Sequence, residues 1–275
     1  MNKKNLIVCG CSFTQGHFLK KDKTWGGYVA NKLNLKLHNI AEGGQGNEYI
    51  SNKTISYLLN NSELINDSIV MIGWSDSNRL MGTFERSDGA LEYVTIRPFD
   101  FAEDENSIYQ RGAWRDNLDT YHSYVKKHYK ILGRFYSSFA YCLYKTYYSI
   151  YILKHFLESN NIPYLFFDAV SQNKMISLET EDNSYKKIKL QGNHDDVLEF
   201  LENIPNWITD SYLNKTIESK IFDDKYISFD NKSMLAKMFE IDYNKLTEGN
   251  PGHPNELAAD IFSDMIIKEY GKLYN

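Results

Sequence analysis

The chain has 275 residues, 42% of them apolar, enough to bury a sizeable core within one α/β domain. Its net charge of −5 leaves no basic footprint, so nucleic acid is not an expected partner. Three cysteines, odd in number and unevenly spaced, argue against a disulfide framework and for a reducing compartment. No stretch reaches the roughly 18 apolar residues of a membrane span, and Leu6 to Cys9 is too short for the core of a secretion signal. The expectation is a soluble, cytoplasmic protein.

Leu6-Ile7-Val8-Cys9 reads as a buried first strand that breaks into Gly10-Cys11-Ser12-Phe13-Thr14-Gln15-Gly16, a turn bounded by glycines. Open α/β sheets place their ligands at such carboxyl ends of strands, and a serine there is positioned to act as a nucleophile. Trp25 to Leu33 has helical spacing. Leu35 to Ile40 alternates as a second strand and runs into Ala41-Glu42-Gly43-Gly44-Gln45-Gly46-Asn47, a second glycine-rich turn before a helix over Glu48 to Leu59. Ser68 to Trp74 is a third, continuously apolar strand, followed by the polar loop Ser75-Asp76-Ser77-Asn78-Arg79. Strands that end in polar, glycine-bearing loops and are separated by helices predict a parallel sheet whose loops converge on one edge.

From Leu80 to about Lys130 the periodicity is lost, which predicts a polar, aromatic insertion that covers or shapes the site. Ile131 to Glu158 is helical in character, Tyr164 to Val170 is a fourth strand, and Ser171 to Leu190 is loop-like. Asp195 to Ile204 reads as a short helix and Tyr226 to Phe229 as a minor strand or packed loop. The turn cluster Glu248 to Asn255 opens a last helix over Glu256 to Tyr270. No repeat or boundary divides the chain, so the expectation is a single domain over 1–275 with an insertion at about 80–130.

These loops supply the parts of an acyl transfer. Ser12 is the candidate nucleophile, and His253, held before Pro254 at a helix start, is its candidate base. Gly44 offers a backbone N–H with no side chain to block a substrate oxygen. At this point the sequence resembles the SGNH, or GDSL-like, hydrolases. Gly10 to Gly16 is similar to their first block, and Asn39-Ile40-Ala41-Glu42-Gly43-Gly44-Gln45-Gly46-Asn47 to their second. Gly73-Trp74-Ser75-Asp76 falls where the third belongs, and Asn250-Pro251-Gly252-His253-Pro254 is similar to the last.

The resemblance implies a three-layer α/β/α sandwich around a parallel, flavodoxin-like sheet and an oxyanion site built from Ser12 and Gly44. It also implies that Ser75 stands in for the block-three Asn, with Asn78 as the other candidate, and that Asn250 replaces the acidic member of a triad. Asp242 or Glu248 is an alternative group to orient His253. Chemistry of this type needs neither metal nor organic cofactor. The expected substrate is a small-molecule or carbohydrate ester with a small acyl group, such as an O-acetyl sugar. The alternative is a weak or inactive module that keeps the fold and binds without turnover. Gly192-Asn193-His194-Asp195 imitates a block of dinuclear metallophosphatases, but the further ligands that such chemistry needs are missing from the sequence.

Overall fold

The computed structural model describes residues 3–77, 79–85, 91–96, 139–170, 217, 219–250 and 252–274. The first half opens with strand β1 (Asn5–Gly10), a single-turn helix α1 (Ser12–Gln15) and helix α2 (Trp25–Lys32). Strand β2 (Lys36–Asn39), helix α3 (Asn47–Asn60) and strand β3 (Ser68–Trp74) follow. An antiparallel hairpin, β4 (Leu80–Glu85) and β5 (Leu91–Ile96), leads toward helix α4 (Phe139–Ser159) and strand β6 (Tyr164–Asp168). The two-residue β7 (Tyr226–Ile227), helices α5 (Met234–Ile241) and α6 (Tyr243–Leu246), and the terminal α7 (Glu256–Tyr274) complete the order.

Among the described residues, five strands form one sheet in the order β2-β1-β3-β6-β7, every neighbouring pair parallel. The continuously apolar β1 and β3 are buried along their whole length, because helices cover both faces of the sheet. Alternate residues feed two cores. Leu6, Val8, Ile69, Met71, Leu165 and Phe167 pack with α2, α5 and α7 on one face. Ile7, Cys9, Val70, Ile72, Tyr164 and Phe166 pack with α3 and α4 on the other. The result is the parallel sheet that the alternation implied, within the three-layer α/β/α sandwich that the resemblance implied.

The strand order reverses between β1 and β3: the chain leaves β1 toward β2 on one side and returns to β3 on the other. A ligand crevice belongs outside the carboxyl ends of strands at such a switch point. The turns after β1 and β3, which carry Ser12 and Ser75, both open there. On the α2 side, Lys32 Nζ binds Asp260 Oδ1 and Asp264 Oδ1, each at 2.7 Å, fastening α2 to α7.

Several elements differ from the sequence expectations. The segment from Leu80 is not irregular at its start but forms the β4–β5 hairpin; residues 97–138 lie outside the described residues, as do Ser171 to Leu190 and Asp195 to Ile204. Helices α5 and α6 had no counterpart in the sequence reading, although both carry an N-terminal cap: Ser233 accepts from Ala236 N and Asp242 from Lys245 N. The last helix runs to Tyr274 rather than Tyr270. No helix among the described residues is long and apolar enough to cross a membrane.

Candidate active site

Ser12 opens α1 directly after β1, so its N–H is among the first-turn donors that have no acceptor within the helix. The turn is tight because two glycines face each other across the sheet. Gly10 pairs with Gly73 in the β1–β3 register, and Thr14 of α1 sits over both. A Cβ on Gly10 would stand 2.2 Å from Thr14 Oγ1, and one on Gly73 2.7 Å from the same atom. The glycine at position 10 is thus needed for space beneath α1.

His253 comes from the loop before α7, where Asn255 caps the helix by accepting from Ala258 N at 3.0 Å and donates to Lys245 O at 2.7 Å. The imidazole Nε2 lies 3.0 Å from Ser12 Oγ, although the two residues are 241 positions apart. The His253 ring packs against Phe13 (centroids 5.8 Å) and His17 (4.8 Å). Cys11, beside the serine, is fully buried in the apolar core and offers no competing nucleophile.

The loop after β2 is bound to the serine turn. Asn39 Nδ2 donates to Thr14 O at 3.0 Å, and Glu42 N donates to Gly10 O at 3.2 Å. A Cβ on Gly43 would lie 3.6 Å from Ser12 Cβ, so the Gly43–Gly44 backbone adjoins the serine. Gly44 has φ +83°, a left-handed conformation that a glycine adopts without strain.

The loop after β3 is held by a residue to which the sequence reading gave no role. Asn47 Nδ2 donates to Ser75 O at 2.9 Å, and Asn47 Oδ1 accepts from Ser75 N at 2.7 Å, a two-point clamp. Arg79, also missed, donates from Nη1 to Ser75 Oγ at 3.0 Å. Asn78 lies outside the described residues.

Asn250 is 2% exposed, and its side chain is oriented by carbonyls rather than by the histidine. Its Nδ2 donates to His17 O and Pro254 O, both at 2.8 Å, while Oδ1 has no hydrogen-bond partner. Two carbonyl oxygens can be met only by the NH2 end of an amide, which fixes which end is which. Asn250 therefore ties the serine turn to the histidine loop, and its only side-chain acceptor makes no bond to the His253 ring. Of the alternative groups, Asp242 caps α6 and Glu248 has an exposed side chain. No group of three His, Cys, Asp or Glu side chains suited to a metal ion occurs among the described residues.

No protein-family model matches the sequence, and no curated protein matches it. Among solved structures, the chain is similar to the psychrotrophic esterase EstA from Pseudoalteromonas sp., in a structure inhibited by monoethylphosphonate. That likeness has 11% identity over 99% of this chain and 100% of the other, with a TM-score of 0.48. TesA is similar at 8% identity over 97% of each chain, with a TM-score of 0.46. A protein assigned to the lipolytic G-D-S-L family from Desulfitobacterium hafniense DCB-2 is similar at 10% identity over 97% of this chain and 99% of that one, with a TM-score of 0.41.

Proposed function

We propose that the protein is an ester hydrolase that works by acyl transfer to Ser12, with His253 as general base. The observation that carries this is the 3.0 Å contact between Ser12 Oγ and His253 Nε2. A serine that donates to Nε2 requires that nitrogen to be bare, so the imidazole proton resides on Nδ1. As Ser12 Oγ bonds to the ester carbonyl carbon, its proton passes to Nε2 and the carbonyl π electrons move onto oxygen. The Ser12 and Gly44 N–H groups and the Ser75 hydroxyl are the candidate donors to that oxyanion, with Asn78 as the sequence-level alternative for the last. Each well-aimed donor is worth about 2.7–4 kcal/mol in the transition state. Collapse expels the alcohol, which takes the proton from Nε2. Water then attacks the acyl-serine with His253 as base again, releasing the acid.

The substrate in this reading is a small-molecule ester with a small acyl group, O-acetyl on a carbohydrate among the candidates, and no metal or organic cofactor takes part. Three buried cysteines, none of them in a disulfide, fit action in the cytoplasm. A fluorophosphonate probe tests the proposal. The wild type should be labelled, Ser12→Ala should lose the label, and His253→Ala should react about 10²–10⁴-fold more slowly. Failure of the wild type to label across a broad pH range would sink the hydrolase and leave a binding module with the same fold.

A further inference from the structure

Five non-glycine residues among those described have a positive φ, and four of them are Asn or Asp, which tolerate that conformation. The fifth is Phe18, at φ +66°. It occupies the third position of a turn closed by Leu19 N–H to Gly16 O at 2.8 Å, the position that type II turns reserve for glycine. Phe18 is also 77% exposed, the most exposed of the large apolar side chains described. Single exposed apolar residues are ordinary, but one held in a disfavoured backbone conformation beside a reaction centre is not. Its neighbours on both sides are anchored: His17 O by the buried Asn250, and Leu19 by packing against the core.

The ring's position gives it a use. Phe18 packs on His17 at 3.9 Å between centroids, and His17 packs on His253 at 4.8 Å. The aromatic ladder thus climbs from the general base to the surface. In the acyl transfer proposed above, the carbonyl oxygen faces Gly44 and Ser75, whereas the departing alcohol takes its proton from His253. The His17–Phe18 side is the alcohol side.

We propose that Phe18 is a specificity-determining residue, a platform on which the ring of a cyclic alcohol, aryl or pyranosyl, stacks as its ester is cleaved. This rests on the hydrolase reading for its direction, but ring binding can be measured without turnover. The strain of the turn is what keeps the platform presented to solvent.

The experiment compares wild type with Phe18→Gly and Phe18→Leu. Saturation-transfer NMR measures binding of phenol and of methyl glucopyranoside, and kinetics use phenyl acetate, an acetylated methyl glucopyranoside and ethyl acetate. Wild type should bind at least one of the two ring alcohols, and which one binds distinguishes an aryl from a sugar platform. Phe18→Gly should weaken that binding and raise KM for the matching ester roughly 3–10-fold, with kcat and the ethyl acetate parameters little changed. Its Tm should hold or rise, because glycine fits the turn; a residue that merely packs would lower Tm instead. Phe18→Leu should fall between in binding. Ring binding that depends on Phe18 in a protein with no esterase activity would uphold the platform and reject the hydrolase. No ring binding by wild type, or an equal effect of Phe18→Gly on all three esters, would overturn the platform itself.

Discussion

Asn250 stands where the resembled family has an acidic residue, and its surroundings explain why a carboxylate would not serve. The side chain meets two carbonyl oxygens, so an ionised Asp would face two like partial charges in a site with almost no solvent. We expect Asn250→Asp to lower Tm by the loss of two donors, about 1–3 kcal/mol for each carbonyl left without one. The loss should deepen from pH 5 to pH 8 as the carboxyl is forced to ionise while buried. Thermal melts across that range check it. A gain in kcat without loss of stability would instead identify position 250 as the orienter of His253. Nothing near Asn250 in the sequence indicates this role, because one of its acceptors is 233 residues away. Ser12 and His253, by contrast, were legible: each sits on a short polar turn whose residue types narrow its chemistry. Phe18 gave no signal, since a positive φ is expected of Asn, Asp or Gly and seldom of Phe.

At the level of elements, β1 is locked to β2 and α3 through His38. Its Nδ1 lies 2.8 Å from Tyr57 Oη and its Nε2 lies 3.1 Å from Asn5 Oδ1. Since an amide oxygen can only accept, Nε2 carries a proton, and the neutral ring accepts a hydrogen bond from the Tyr57 hydroxyl at Nδ1. Burial, helped by the charges of Lys36 and Lys21, holds this histidine below its ordinary value of about 6.5. Between its folded and unfolded values the unfolded chain binds more protons, so stability rises with pH there and is lost as pH falls from about 7 through that window. Tm should therefore drop between pH 7.5 and pH 5.5, and His38→Gln should flatten the slope. An unchanged slope would place the titration elsewhere. The strands themselves were readable because a sheet covered on both faces writes continuous apolar runs, as in β1, β3 and β6. The β4–β5 hairpin was missed although Arg86-Ser87-Asp88-Gly89-Ala90 between its strands includes Asp-Gly, a turn signal that the expectation of an irregular insertion overrode.

Two apolar cores share one sheet, with Cys11 in one and Cys9 in the other, and Cys142 is buried as well. Burial pushes Cys9 up to about 11 and Cys142 up to about 12, and Cys11 is fully enclosed. Native protein at neutral pH should give no fast reaction with a thiol-specific disulfide reagent, and denatured protein should give all 3 equivalents. A thiol that reacts at once in the native state would contradict the packing of the layer it belongs to.

The Asn250 tie and the Ser12–His253 contact join segments 233 and 241 residues apart. During synthesis Ser12 leaves the ribosome long before His253 does. A nascent chain can carry Ser12, both glycine turns and most of the sheet while remaining chemically silent. In the proposed acyl transfer, reactivity begins only when α7 docks beside α2 and delivers the imidazole, so turnover would count folded molecules and spare partial ones.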